Sequence, residues 1–324
     1  MRGNSNLQRT VENKNMISIS ERLEQDRIIL LDGGVSTEIQ KRGVSLDPNV
    51  WSGLTTKTHP DEVLQVHEDY IHAGSQVITA NTYSTARHVL ESINLGHEAK
   101  LLNYKSVQIA KQARDNAAER DVWVAGSMSS MPPLMGSHDI SLGEHARTSY
   151  QEQADVLAEA GADLIIVEMM RDIENATLVI EAALSTGLPV WIGYSTMMDK
   201  DGIGVKGLRW LDQGKYSISD DFSAMIKKLS PLGGQAAGIM HTKISNIEPA
   251  LKVLEKHWKG PVLAYAETGR LEFPDWHFGD VCAPDQYAAE IKGWVEKYGV
   301  KIVGGCCGTG PEHIRALQDC LGDF

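Results

Sequence analysis

Short runs of aliphatic and β-branched residues recur along this chain, separated by longer stretches in which apolar positions repeat every three or four residues. The runs that read as strands are Arg27 to Leu31, Gln76 to Ala80, Val122 to Gly126, Asp163 to Val167, Pro189 to Gly193, Ala236 to Met240, Pro261 to Tyr265 and Lys301 to Val303. Between them, Asp61-Glu62-Val63-Leu64-Gln65-Val66-His67 has a helical period, opened by His59-Pro60-Asp61 and closed by Gly74. Gln151 to Ala160 and Asn246 to Leu254 read the same way. The second of these is predicted to start in a capping box formed by Ser245 and Glu248. Strands alternating with helices predict a parallel sheet. Eight such units predict an α/β protein, a single-domain (β/α)8 TIM-type barrel over residues 26–324, preceded by a polar extension at residues 1–25.

A barrel of this kind carries its chemistry on the loops at the C-terminal ends of the strands. Polar residues stand at six of the eight ends: Asp32-Gly33-Gly34, Asn81-Thr82-Tyr83, Glu168, His241, Glu267-Thr268-Gly269 and Cys306-Cys307. Residues just after buried strands also serve as helix caps, so a single case says little; six on one rim argue for a site.

Composition narrows the partners. A net charge of -12 argues against nucleic acid or an anionic membrane surface as the main partner, because both demand a basic face. Four irregularly spaced cysteines in 324 residues make no disulfide scaffold, and Cys282 and Cys320 have no evident partner, which points to a reducing compartment. The first twenty residues lack the apolar core of a signal peptide, and no apolar run approaches the roughly 20 residues that cross a bilayer. A cytoplasmic protein is expected.

The segment Lys301-Ile302-Val303-Gly304-Gly305-Cys306-Cys307-Gly308 sets two thiols between glycines at the exit of a strand. Thiolate sulfur suits Zn²⁺, and glycine lets neighbouring side chains converge on one ion. The plainer alternative is two small buried hydrophobes.

Leu31-Asp32-Gly33-Gly34-Val35-Ser36-Thr37-Glu38, Ala80-Asn81-Thr82-Tyr83 and Gly304-Gly305-Cys306-Cys307-Gly308 together make the chain resemble the homocysteine S-methyltransferase family, from about Arg27 to Leu317. That family includes betaine– and S-methylmethionine–homocysteine methyltransferases and the homocysteine module of cobalamin-dependent methionine synthase. The resemblance implies a zinc ion held by three cysteines, with the substrate thiol as fourth ligand. Cys306 and Cys307 match the paired ligands, and His241 stands where the third cysteine is expected. Imidazole in place of thiolate takes the centre from a net charge of -1 to 0, which draws more density from a bound thiolate and weakens it as a nucleophile.

By the same resemblance Asp32 and Glu168 hold the amino group of homocysteine, and the Gly33 and Gly34 amides approach its carboxylate. Trp51 matches a family tryptophan; Tyr83, Trp276 and Asn81 are expected beside the substrates, the aromatic faces attracting an onium methyl donor. Glu267 is a second departure, in Tyr265-Ala266-Glu267-Thr268-Gly269 where the family tends to show asparagine, and it reads as a base, a site for a cation, or equally a loop residue pointing away. The loop Gly126 to Met131 lacks a usual Gly-Pro, and Met169 stands where betaine users show tyrosine, which favours a sulfonium donor. The expectation is a zinc-dependent S-methyltransferase acting on a thiol such as homocysteine and forming methionine. The alternatives are a zinc hydrolase or lyase in which the open site holds water and Glu267 moves the proton, and a binding protein without activity.

Overall fold

In the computed structural model, which describes residues 16–130, 143–202, 204–210, 216–272 and 275–322, all eight apolar runs form strands. They are β1 (Ile29–Leu30), β2 (Val77–Thr79), β3 (Trp123–Ser129), β4 (Leu164–Met170), β5 (Val190–Tyr194), β6 (Ala236–Lys243), β7 (Val262–Glu267) and β8 (Val300–Val303). Every pairing between them is parallel, in the order β1-β8-β7-β6-β5-β4-β3-β2. A parallel bridge from Leu31 to Val77 joins the two ends of that sheet. Asp32 N–H donates to Val77 O at 3.0 Å and Gln76 N–H to Leu30 O at 2.7 Å, which completes the cylinder.

The runs are continuously apolar because both faces of each strand are covered. Ile29, Leu31, Val77, Trp123, Leu164, Ile166, Trp191, Leu263 and Ile302 fill the inside of the barrel. Their neighbours Leu30, Ile78, Val124, Ile165, Ile192 and Val303 point outward against helical residues such as Val63, Val66, Tyr70 and Val107. Each such side chain, fully buried, contributes roughly 1.5–3 kcal/mol.

The end of the barrel remote from the predicted site is closed by helix Ile19–Glu24. Ser18 and Glu21 form a reciprocal capping box at its start. Ile19 and Leu23 are buried with the barrel interior, and Trp123 Nε1–H donates to Ile17 O at 3.0 Å. Residues 16–25, assigned from the sequence to a polar extension, therefore carry this plug; residues 1–15 lie outside the described residues.

Helix Pro60–Ala73 ends at Gly74 with φ 118°, as the sequence predicts. The capping box expected at Ser245 is corrected: β6 runs to Lys243 and the helix Ile244–His257 follows without a break, so Ser245 already lies inside the first turn and no side chain caps the end. Glu248 instead accepts a hydrogen bond from Tyr298 Oη at 2.8 Å and pairs with Lys252 at 3.2 Å. Strands β3, β4, β6 and β7 extend past their predicted ends, which puts Glu168, His241 and Glu267 on strands rather than in loops. An antiparallel sheet (Thr196–Met198, Val205–Trp210, Tyr216–Asp221) follows β5, and a ribbon (Arg270–Glu272 with Asp275–His277) follows β7; the apolar pattern announces neither. No described helix is long and apolar enough to cross a membrane.

Candidate functional site

The C-terminal ends of β4 and β6 depart from regular strand geometry. Register shifts fall between Val167 and Met170 on β4 and between Tyr265 and Glu267 where β7 pairs with β6. Met169 and His241 have φ of 58° and 40°, and Trp51 has 47°. A side chain at positive φ costs on the order of 1–3 kcal/mol and persists where the surroundings impose it. Such irregularities re-aim side chains. Trp51 and His241 line one cavity at the barrel mouth, and Met169 touches its wall through a contact from Tyr83 Oη to Sδ at 2.6 Å.

His241, Cys306 and Cys307, far apart in sequence, meet in that cavity. His241 Nδ1 lies 3.6 Å from each sulfur and the sulfurs are 3.8 Å apart. A tetrahedral zinc ion, about 2.3 Å from sulfur and about 2.0 Å from nitrogen, keeps its sulfurs about 3.8 Å apart and each about 3.5 Å from the nitrogen. The three donors therefore fit the ion and leave one tetrahedral vertex free.

The cysteine loop is held by backbone bonds on both sides: Gly305 N–H to Asp32 O at 2.9 Å and Cys306 N–H to Ala266 O at 3.1 Å. Glycine is required beneath it, since a Cβ on Gly34 would sit 2.7 Å from Cys306 O and one on Gly33 would sit 2.5 Å from Thr309 O. Gly34 N–H donates to Thr309 O at 3.0 Å, so its expected role as a free donor to a carboxylate is corrected: the close approach serves the loop. Hydrogen bonding from Cys307, and after it His241, holds the Cys306 thiol well below its ordinary range despite burial, whereas Cys307 is pushed up. Burial opposes a charge on His241, but Glu267 and Cys306 outweigh it and raise its pKa to about 9.

Glu267 Oε2 stands 3.3 Å from His241 Nδ1. It is not among the cavity-lining residues, and among the described residues it does not join the three donors whose ligand atoms lie within 4.8 Å of one another. Of the readings open for it, a base, a cation site or a loop residue pointing away, the structure shows a strand residue beside the imidazole.

Asp32 and Glu168 both line the cavity. Asp32 accepts from Thr79 N–H at 2.6 Å and Thr79 Oγ1 at 2.9 Å; Glu168 accepts from Ser127 Oγ at 2.7 Å and Tyr265 Oη at 3.1 Å. Burial, only partly offset by these bonds, pushes each pKa up to about 7, with Cys306 adding to the rise. Trp51 stacks on Tyr83 at 6.1 Å, Trp276 meets Trp51 edge-on at 6.2 Å, and His241 meets Trp276 at 6.3 Å, forming one aromatic wall. Asn81 is present, but its amide is taken up locally: it donates to Ser52 O at 2.8 Å and accepts from Ser52 Oγ at 2.7 Å. The cavity spans about 750 Å³ of space, open solvent at its mouth included, and no lysine or arginine is among its described lining residues.

Thr79, Ser127, Tyr265 and Met240 line the site without having been picked out from the sequence. Their signal was available for two of them, since Thr79 and Ser127 interrupt otherwise apolar strands. Of the loop Gly126 to Met131, Met131 lies outside the described residues.

Residues 29–321 match the family model described as homocysteine S-methyltransferase. The chain is 28% identical to homocysteine S-methyltransferase YbgG of Bacillus subtilis, covering 93% of this chain and 97% of that one. It is 27% identical to betaine–homocysteine S-methyltransferase 1 of Bos taurus, covering 94% of this chain and 74% of the other. Among solved structures, the metallated form of the homocysteine methyltransferase MmuM from Escherichia coli superposes with a TM-score of 0.68 at 24% identity, over 91% of this chain and 96% of that one, a likeness of fold.

Proposed function

The chain belongs to the homocysteine S-methyltransferase family, and from that premise we propose that it moves a methyl group from an onium donor to the thiol of homocysteine, forming methionine, with zinc as its metal. In the transfer, the acceptor sulfur gains a bond to the methyl carbon while the carbon–heteroatom bond of the donor breaks. The electron pair stays on the departing heteroatom and cancels its positive charge. No general base is needed at the carbon.

The observation that carries this reading is the convergence of His241, Cys306 and Cys307 within bonding reach of one ion, in a cavity that also contains Asp32 and Glu168. Zinc, when bound by those three residues, would supply a lowered pKa for a coordinated thiol, so that the acceptor is a nucleophile at neutral pH. Asp32 and Glu168 bind the acceptor's ammonium, each held in orientation by two hydrogen bonds. The faces of Trp51, Tyr83 and Trp276 receive the donor cation, each contributing about 2 kcal/mol or more when desolvated. Binding both substrates in one cavity converts a bimolecular encounter into an oriented one. With no lysine or arginine among the described lining residues, a sulfonium donor of net positive charge is favoured over a donor whose onium charge is cancelled by its own carboxylate.

The test is metal analysis of the purified protein together with methionine formation from homocysteine and S-methylmethionine, S-adenosylmethionine or betaine. One tightly held zinc per chain and thiol-dependent methyl transfer are expected, with a sulfonium preferred. Metal-dependent turnover of other substrates without any thiol would favour a hydrolase or lyase, and no zinc uptake on titration would leave only a binding role.

A further inference from the structure

Glu267, its side chain 12% exposed, is a carboxylate in an unusual position: its one ion pair among the described residues is with His241, at 3.3 Å, and Lys243, exposed at the end of β6, exerts only a weaker pull. It sits on β7 just past the register shift against β6, so the same irregularity that turns His241 into the cavity sets Glu267 beside it. His241 Nε2 is buried with no hydrogen-bond partner, so no polar group holds the ring from its far side. Metal-bound imidazoles are ordinarily fixed through that second nitrogen. Here the ring is held by Trp276 packing against it and by Glu267 near the donor atom.

Charge counting gives the contact a purpose. A divalent ion with one neutral imidazole and two thiolates sums to zero, and a carboxylate alongside brings the centre to -1. With the lone pair of Nδ1 committed to a metal, that nitrogen has no proton to give Glu267, so the interaction is between charges and needs no hydrogen bond. Burial makes it strong, because few water dipoles screen it. Building on the zinc site proposed above, we propose that Glu267 is a positioning residue that supplies the His241–Cys306–Cys307 centre with a third negative charge without occupying a ligand position. A metal is thereby held more tightly, and a sulfur bound to it keeps more of its electron density.

The experiment measures zinc affinity on the full chain, without donor or acceptor, by competition with a chromogenic chelator. Four proteins are compared: wild type, Glu267→Gln, His241→Cys, and the double variant. Glu267→Gln is expected to loosen zinc roughly 10–100-fold, the usual cost of removing an outer partner. In the His241→Cys background, where a third thiolate already provides the charge, the same change should cost less than about threefold. Unchanged affinity in Glu267→Gln, or an equal loss in both backgrounds, would overturn the proposal. Glu267→Asp, which keeps the charge, should recover most of the affinity, and failure of that rescue would also count against it. Cobalt-loaded wild type and Glu267→Gln should share one pattern of visible bands; a change in coordination pattern would make Glu267 a ligand and end the outer role. Because no methyl donor is present, a protein that shows this zinc response yet transfers no methyl group would refute the proposed activity and leave this inference standing.

Discussion

Asp32 and Glu168 are each a carboxylate placed where burial makes its charge costly, and both are raised to about 7 by it. A raised carboxyl favours the folded state while it is protonated. Its unfolded counterpart ionises near 4, so the contribution is fully present below about pH 4 and is lost as pH rises to about 7. The melting temperature of the metal-free, acceptor-free protein is therefore expected to fall between pH 5 and pH 8. Asp32→Asn and Glu168→Gln should each flatten that slope, and thermal melts across the range would decide it; a slope unchanged in both variants would contradict the assignment. Acceptor binding runs the other way, since an ammonium needs the ionised forms, and KM for homocysteine should rise as pH falls below about 7. Asp32 and Glu168 could be picked from the sequence; Thr79 and Ser127 show there only as polar interruptions of apolar strands, and Tyr265 not even so, because a hydroxyl inside a strand declares no direction until the register is known.

Among the elements, the irregular ends of β4 and β6 and the glycine floor beneath β8 shape the site. Gly34 has an ordinary backbone conformation, yet a Cβ there would lie 2.4 Å from Thr37 Oγ1 and 2.7 Å from Cys306 O. Gly34→Ala is expected to lower stability by about 1–3 kcal/mol, as overpacking does, and to displace the loop that carries both cysteines. The measurable sign is a zinc content well below that of wild type in protein that still melts cooperatively. Full zinc occupancy in that variant would mean the loop is not held from this side. Strand positions and the helix Pro60–Ala73 were readable because both periodicities are local. The capping box at Ser245 was misread because the sequence does not reveal that β6 continues to Lys243 before the helix begins.

For the whole molecule, the two ends of the barrel have separate duties. The far end is closed by Ile19 and Leu23 against Trp123 and the interior cluster, while His241, Cys306, Cys307 and the two carboxylates occupy the mouth. Leu23→Ala, which opens a cavity at 6% exposure, is expected to cost about 2–3 kcal/mol and to leave zinc affinity unchanged. Calorimetry beside chelator competition would check both parts; loss of zinc affinity would show that the ends are coupled. The barrel itself was legible because eight buried parallel strands must read as eight apolar runs. The antiparallel sheet after β5 and the ribbon after β7 were not, since short edge strands on a surface carry little apolar pattern.

Composition and periodicity alone determined an α/β barrel with polar residues gathered on one rim, and the motifs around Asp32 and the paired cysteines carried the resemblance to a family. Folding decided the rest: that His241 reaches the cysteines at ligand spacing, that Gly34 has no amide to spare, and that Glu267 faces the imidazole and not the cavity. The physical reason is one of range. Strand and helix periods are set by neighbours a few residues away, whereas the direction of a side chain at a strand end depends on register shifts and backbone strain that only the closed sheet imposes.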